Sequence, residues 1–156
     1  MIAFSPEALV PTETKPPVSF WLISIALLFW GLAGASIYVA YFVETPEQFA
    51  ATAETAANRQ AYADYVANIP FWAIAAGIVA AIARLFGAIG LLLRRAWALH
   101  FFVISTIFFV VALYRAFILA NVASVMSAPH IAVEVAFLLL SLFAIWFTHQ
   151  NKGVLR

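Results

Sequence analysis

The 156-residue sequence is 66% hydrophobic and only 10% charged, and its mean hydropathy is +1.02. Soluble domains are on average roughly half apolar and a quarter charged, so this composition indicates an integral membrane protein. The net charge of +1 argues against a nucleic-acid partner, and the absence of cysteine excludes disulfides, thiolate metal sites and cysteine nucleophiles.

Four apolar segments have the length of a membrane-spanning helix, which takes about 20 residues. They predict an all-α protein, an integral membrane four-helix bundle in which residues 1–156 form a single membrane domain. We place the spans at residues 18–43, 71–93, 97–121 and 131–148, with tails at 1–17 and 149–156.

The segment 44–70 between the first two spans is polar, with four acidic residues against one arginine. Thr45 is followed by Pro46, and Gln48 stands three residues after Thr45. This spacing is typical of a capping box with proline in the first helical turn. We therefore expect a short, alanine-rich surface helix outside the membrane.

Positive charge lies beside two of the predicted span ends. Arg94 and Arg95 follow the second span and the basic tail 149–156 follows the fourth, whereas 44–70 is acidic and 121–130 is uncharged. The positive-inside rule then places both termini in the cytoplasm and segment 44–70 on the opposite side of the membrane. We expect a bacterial inner membrane, in which this segment would be periplasmic.

Arg84 lies near the middle of the second span, among small residues at helical spacing. Small residues let membrane helices approach one another closely. We therefore expect Arg84 to face protein rather than lipid. The residues predicted to pack helices together are Gly31, Gly34, Gly77, Ala80, Ala81, Gly87 and Ala88.

Two further charges are predicted at bilayer depth. Arg115 lies near the outer end of the third span, and Glu134 enters the fourth span from the same side. This placement predicts an ion pair between Arg115 and Glu134, with Arg84 reaching the same carboxylate from below. A charge at this depth costs about 2.5–3.5 kcal/mol on insertion scales, so three of them need an explanation.

Two explanations stay open for these charges. They form a buried polar network with Tyr38, Tyr41 and Tyr114 that fixes the register of the helices. Alternatively, the excess positive charge binds an anion, namely a lipid headgroup, a carboxylated or phosphorylated solute, or an acidic residue of a partner subunit.

Histidines and catalytic motifs add little to this picture. His100 and His149 lie near the same ends of spans three and four, as a b-type haem would require, but no second pair supports them and we expect no cofactor. His130 follows Pro129 and is expected in a loop. The sequence contains no GxSxG, HExxH or glycine-rich phosphate loop, so we expect a protein that is not an enzyme.

The stretches LLLRRAWALHFFVIS (residues 91–105) and IPFWAIA (residues 69–75) resemble a family of small four-helix proteobacterial inner-membrane proteins. Members of this family often carry a "sugar transporter" label. The resemblance covers roughly residues 18–153 and implies a four-helix bundle in the inner membrane. The family pattern has small residues but no arginine around the position of Arg84, and a shorter loop at 44–70.

Two functions are compatible with these features. The first is an accessory or assembly subunit of a larger inner-membrane complex, which docks through the small-residue faces of spans one and two and through the outer surface helix. The second is an oligomeric small-solute transporter or a lipid- or anion-binding protein that uses Arg84, Arg115 and Glu134. The expected partners are membrane lipids and other membrane subunits or a second copy of the chain, without nucleic acid.

Overall fold

The computed structural model describes residues 15–51 and 56–156, and these parts of the chain contain helices and no strands. Four of the helices are long and apolar enough to cross a bilayer, which confirms the predicted all-α membrane bundle. The predicted tail 1–17 lies mostly outside the described residues. The helices are α1 (Val18–Val43), α2 (Pro46–Ala50), α3 (Ala56–Ala67), α4 (Phe71–Leu92), α5 (Ala98–Leu113) and α6 (Ala128–Gln150).

In its described residues, the surface segment between α1 and α4 contains two helices, α2 and α3, where the sequence predicted one. The predicted capping box is present at the start of α2, because Gln48 N donates to Thr45 Oγ1 at 3.4 Å and Thr45 N donates to Gln48 Oε1 at 2.8 Å. Helix α3 follows and stacks Tyr62 on Tyr65, with ring centroids 5.8 Å apart.

The third and fourth spans differ in detail from the predicted ranges. After α5 the third span continues as a π-helical turn, Tyr114–Leu119, and the chain turns at Asn121, whose φ is 47°. Helix α6 begins three residues earlier than predicted, because Ser127 is its extended N-cap and Pro129 fits in its first turn. His130 therefore lies in α6 and not in a loop.

At the end of the bundle opposite the surface helices, the last residues of the chain are hydrogen-bonded to the α4–α5 turn. Ala96 N donates to the carbonyl of Arg156, and Arg156 N donates to the carbonyl of Arg94. Arg94, which has a positive φ of 56°, also donates from Nε to the carbonyl of Val154 at 3.1 Å. We refer to this side as the Arg94 end.

Helix α4 is the centre of the bundle, since it packs against α1 on one side and against α5 on the other. Helix α5 in turn packs against α6. Helices α1 and α6 complete the ring through two aromatic pairs, Trp30 with Phe137 and Phe20 with Phe147, each with centroids 5.9 Å apart.

The two halves of the bundle are filled differently. Toward the Arg94 end, in what we call the packed half, apolar side chains form one buried cluster. Toward α2 and α3, in what we call the hollow half, the helices enclose a cavity of about 640 Å³. The buried cluster of the packed half consists of Phe20, Leu27, Ala88, Leu91, Ala98, Phe102, Ala144 and Phe147.

Candidate functional site

The cavity of the hollow half is bordered by side chains of all four spans and of the surface helices. Its volume falls within the range of about 300–1,000 Å³ that is usual for small-molecule sites. Most of the lining is apolar or aromatic, and a few polar groups converge on it. Those polar groups include Tyr38, Tyr41, Arg84, Arg115, His130 and Glu134.

Arg84 reaches the cavity from α4 and is only 3% exposed. Its guanidinium carbon lies 4.2 Å from the centroid of the Trp30 ring and 5.3 Å from the ring centroids of Phe109 and Phe137. Such cation–π contacts offset part of the cost of a charge at this depth. Nε is buried without a hydrogen-bond partner, and no group in the described parts of the chain accepts a hydrogen bond from Arg84 or forms an ion pair with it.

Two glycines make room for two cavity side chains of the facing helix. A methyl group at Gly34 of α1 would lie 2.7 Å from Nη1 of Arg84, and one at Gly77 of α4 would overlap the ring of Tyr38. The glycine of α1 therefore accommodates the arginine of α4, and the glycine of α4 accommodates the tyrosine of α1. At these two positions the small residues admit side chains rather than a neighbouring backbone.

The depth of the guanidinium follows from its contact with Gly34. Gly34 lies nine residues before Val43, the end of α1, which is roughly 14 Å along the helix axis. The hydrocarbon core is about 30 Å thick, so the charge of Arg84 lies near its middle. Little water reaches that depth to solvate the charge, so an ionic partner would stabilise it strongly.

Arg115 has other partners than the sequence predicted. Its Nη2 donates to the carbonyl of Asn68 at 3.1 Å, and its guanidinium carbon lies 4.6 Å from the centroid of the Tyr65 ring. The π-helical turn directs this side chain toward the end of α3, so the predicted ion pair with Glu134 is not formed. Nη1 of Arg115 is buried without a hydrogen-bond partner.

Glu134 borders the cavity from α6 and is partly buried. The charge of Arg84 acts on its carboxylate, but within the described residues neither arginine forms an ion pair with it. One turn earlier in α6, Ser127 Oγ and the Nδ1 of His130 share a hydrogen bond of 2.8 Å. The three predicted charges thus face one cavity without neutralising one another.

The cover of the cavity on the α2–α3 side includes two tyrosines outside the membrane spans, Tyr62 and Tyr65. Burial raises the pKa of Tyr62 to about 12, and the neighbouring Tyr65 hydroxyl adds to this effect. Burial also raises the pKa of Tyr65, while the positive charge of Arg115 opposes the rise. Both phenols are therefore neutral hydrogen-bonding groups at ordinary pH.

The remaining predicted residues lie apart from the cavity. Tyr114 is 54% exposed, because its side chain leaves the π-helical turn on the other side from Arg115, and it does not join the polar group. His100 and His149 are both exposed on the bundle surface and do not enclose an interior haem site. The other predicted packing residues are buried in α1 or α4, namely Gly31, Ala80, Ala81, Gly87 and Ala88.

Several residues of the site were not identified from the sequence, among them Tyr62, Tyr65 and Trp30. Tyr62 and Tyr65 stand three positions apart in α3, a spacing that places them on one helix face. Trp30 stands four positions before Gly34 on α1, so its ring lies one turn from the place where the guanidinium fits. Both spacings can be read from the sequence, but nothing in the sequence connects these side chains with Arg84.

Comparisons with protein families, with curated proteins and with solved structures found no match. The resemblance to small proteobacterial inner-membrane proteins therefore stays a prediction, and the function has to be inferred from the cavity itself.

Proposed function

We propose that this small membrane protein binds an anionic small molecule in the cavity of its hollow half, and that Arg84 recognises the anion. The observation that supports this most directly is a guanidinium that is 3% exposed, borders a cavity of about 640 Å³, and has no hydrogen bond or ion pair within the described residues. Arginine keeps its positive charge in proteins, so it needs an anionic partner. No described group of this chain pairs with Arg84, and a bound anion would supply that partner.

A purely structural network is the weaker explanation of the same residues. The members of a structural network satisfy one another, since a buried polar group without a partner costs stability. Here Arg84 and Arg115 each keep a buried N–H without an acceptor, beside a carboxylate that pairs with neither. That arrangement suits a site that is completed by its ligand.

The small-residue faces support the accessory-subunit hypothesis less than the sequence suggested, while docking through the surface helices stays a prediction. Gly34 and Gly77 face cavity side chains of the same chain, and Gly87 lies against the ring of Phe102. These small residues are used inside the bundle, which leaves them unable to dock a partner helix. We therefore propose ligand binding as the main role and expect no chemical step.

A transporter would need the ligand to leave on the other side of the membrane. The packed half closes the bundle below Arg84 with buried rings such as Phe20, Phe102 and Phe147. We infer binding rather than transport for this reason. We also keep the inner-membrane placement with both termini in the cytoplasm, which the positive charges of Arg94, Arg95 and the tail support.

The experiment compares Arg84→Gln with Arg95→Gln, an exposed arginine at the other end of the bundle. Each protein is purified in a gentle detergent and unfolded by heat in the presence of benzoate, oleate or inorganic phosphate. We expect one of these anions to raise the melting temperature of the wild type and of Arg95→Gln but not of Arg84→Gln. Equal shifts in all three proteins, or no shift with any of the anions, would overturn the proposal.

A further inference from the structure

The side of the bundle between α1 and α6 is closed over only part of its length. The ring pairs Trp30–Phe137 and Phe20–Phe147 bridge the two helices in the middle and toward the Arg94 end. Farther toward α2 and α3, Ile37 of α1 and Val133 of α6 both line the cavity, yet they are 43% and 51% exposed. Side chains that face the cavity and the outside at once mark an opening, which we call the α1–α6 seam and define by these two residues.

The end of the cavity that faces water is partly covered by the surface helices. Gln48 of α2 and the ring residues Tyr62 and Tyr65 of α3 border the cavity on that side. Arg115 holds the end of α3 in place through its hydrogen bond to the carbonyl of Asn68. Glu44 and Gln48 border the same end and are exposed, so this covering is partial. The α1–α6 seam differs in being bordered by the apolar side chains Ile37 and Val133, which suits an apolar ligand that arrives from the bilayer.

The surroundings of Arg84 restrict the shape of the anion. One ring, that of Trp30, lies 4.2 Å from the guanidinium carbon, and the rings of Phe109 and Phe137 lie at 5.3 Å. Three rings thus pack around the guanidinium, and we place the anion at its N–H edge, where the hydrogen bonds are donated. A planar carboxylate fits that edge with two parallel hydrogen bonds.

The charges around the cavity restrict the charge of the anion. Among the charged lining residues inside the predicted spans, Arg84 and Arg115 against Glu134 leave one positive charge in excess, because Glu44 borders the cavity from beyond the end of α1 and is exposed. A single negative charge compensates that excess. A doubly charged phosphate would leave a surplus negative charge in a medium of low polarity, where unpaired charge is costly.

From the apolar seam, the charges inside the spans and the edge of Arg84, we infer that the ligand is a hydrophobic carboxylic acid dissolved in the bilayer, which enters sideways through the α1–α6 seam. Its carboxylate pairs with Arg84, and its apolar body lies against the aromatic lining and extends through the seam between Ile37 and Val133. This inference rests on the proposed binding function and adds the ligand class and its route.

The test uses the full chain in phosphatidylcholine nanodiscs, with oleate as the probe in the bilayer and native mass spectrometry as the readout. Ile37→Trp and Val133→Trp each fill the seam, and Leu139→Trp puts the same ring on the outer face of α6, away from the cavity. We expect one oleate per wild-type chain and about tenfold slower uptake in either seam variant, because entry then requires the helices to move apart. Leu139→Trp should load at the wild-type rate, and circular dichroism checks that all variants are folded.

The outcomes separate this inference from the proposed function. Oleate that loads equally fast in all Trp variants, or Arg84-dependent binding of benzoate from water without binding of oleate, would overturn the ligand class or route and leave anion binding intact. Arg84-dependent retention of phosphatidylglycerol in place of oleate would overturn the carboxylate assignment alone. Oleate binding that survives Arg84→Gln would overturn both.

Discussion

The packed and hollow halves of the bundle are built from the same four helices, but they treat polar groups differently. In the packed half, hydroxyl side chains return to backbone carbonyls of their own helix, as Ser24 does to Phe20 at 2.7 Å and Thr148 does to Ala144 at 2.7 Å. In the hollow half, long charged side chains keep buried N–H groups without an acceptor. Short polar side chains such as Ser24 and Thr148 are thus satisfied within their own helix, whereas an arginine needs a partner from elsewhere.

Helix α4 runs through both halves and shows the contrast within one element. Its Gly87 accommodates the ring of Phe102, which has the buried cluster around it, while its Gly77 accommodates Tyr38, which borders the cavity. The same kind of residue therefore serves tight packing at one end of the helix and an open site at the other.

The largest effect is expected from removing a ring in the packed half. Phe102→Ala should lower the free energy of unfolding by about 3–5 kcal/mol, because it loses burial and leaves a new void. Phe109→Ala, on the same helix but beside the existing cavity, should cost about 1–2 kcal/mol less, because part of its void is already present. Unfolding in mixed detergent–SDS micelles measures both values, and equal losses would contradict the distinction between the halves.

Adding a methyl group at a glycine should show the same difference between the two halves, with a smaller loss of stability. Gly87→Ala places a carbon 2.9 Å from the Phe102 ring, and we expect a loss of about 1–3 kcal/mol because that ring has no room to move. Gly77→Ala overlaps Tyr38 more severely, yet Tyr38 can turn into the cavity, so the loss should stay below about 1 kcal/mol. The same unfolding assay decides, and a larger loss at Gly77 would mean that the cavity does not accept the displaced ring.

The packed half and the spans were largely predictable from the sequence. Long apolar runs and the Thr45–Gln48 capping box are local signals, and the structure confirms the bundle and the box. The small residues around Arg84 also indicated which way that side chain points, and the structure places it in the interior.

The partners of the charges were not predictable from spacing. Counting residues along an ideal helix placed Arg115 beside Glu134, but the π-helical turn Tyr114–Leu119 changes the direction of the side chain, and Asn68, 47 residues earlier, is its acceptor. A cavity arises where four helices diverge, and no single segment encodes that.

Replacing Arg84 should act in the opposite direction from the core substitutions. In the empty protein, Arg84→Met removes a buried charge without a partner and leaves a flexible apolar chain in contact with Trp30, so stability should rise by about 1–3 kcal/mol. Arg95→Met, at an exposed position, serves as the control and should change little. A marked loss of stability in Arg84→Met would favour a structural role of the charge over a ligand site.

Loosening the cover of the hollow half should have a smaller and local effect. Arg115→Lys keeps the charge but loses the planar group that reaches the Asn68 carbonyl and lies over Tyr65. We expect a loss of about 1 kcal/mol and faster hydrogen exchange in α3, while amides near Phe102 keep their protection. Unchanged exchange in α3 would show that this contact does not hold the cover closed.

The smallest expected effect is a pH dependence confined to the cover. Because burial raises the pKa of Tyr62 to about 12 from its ordinary value of 10.0, the docked state favours the neutral phenol. The contribution of Tyr62 is fully present below pH 10.0 and is lost as the pH rises through the raised pKa, since the released tyrosine ionises first. Tyrosinate absorbance followed in the wild type and in Tyr62→Phe isolates this late titration, and hydrogen exchange should increase in α3 before it does in the packed half. A Tyr62 that titrates near its ordinary pKa would mean that α3 does not bury its ring, and the end of the cavity nearest α2 and α3 would then be as open to ligands from water as the α1–α6 seam is to ligands from the bilayer.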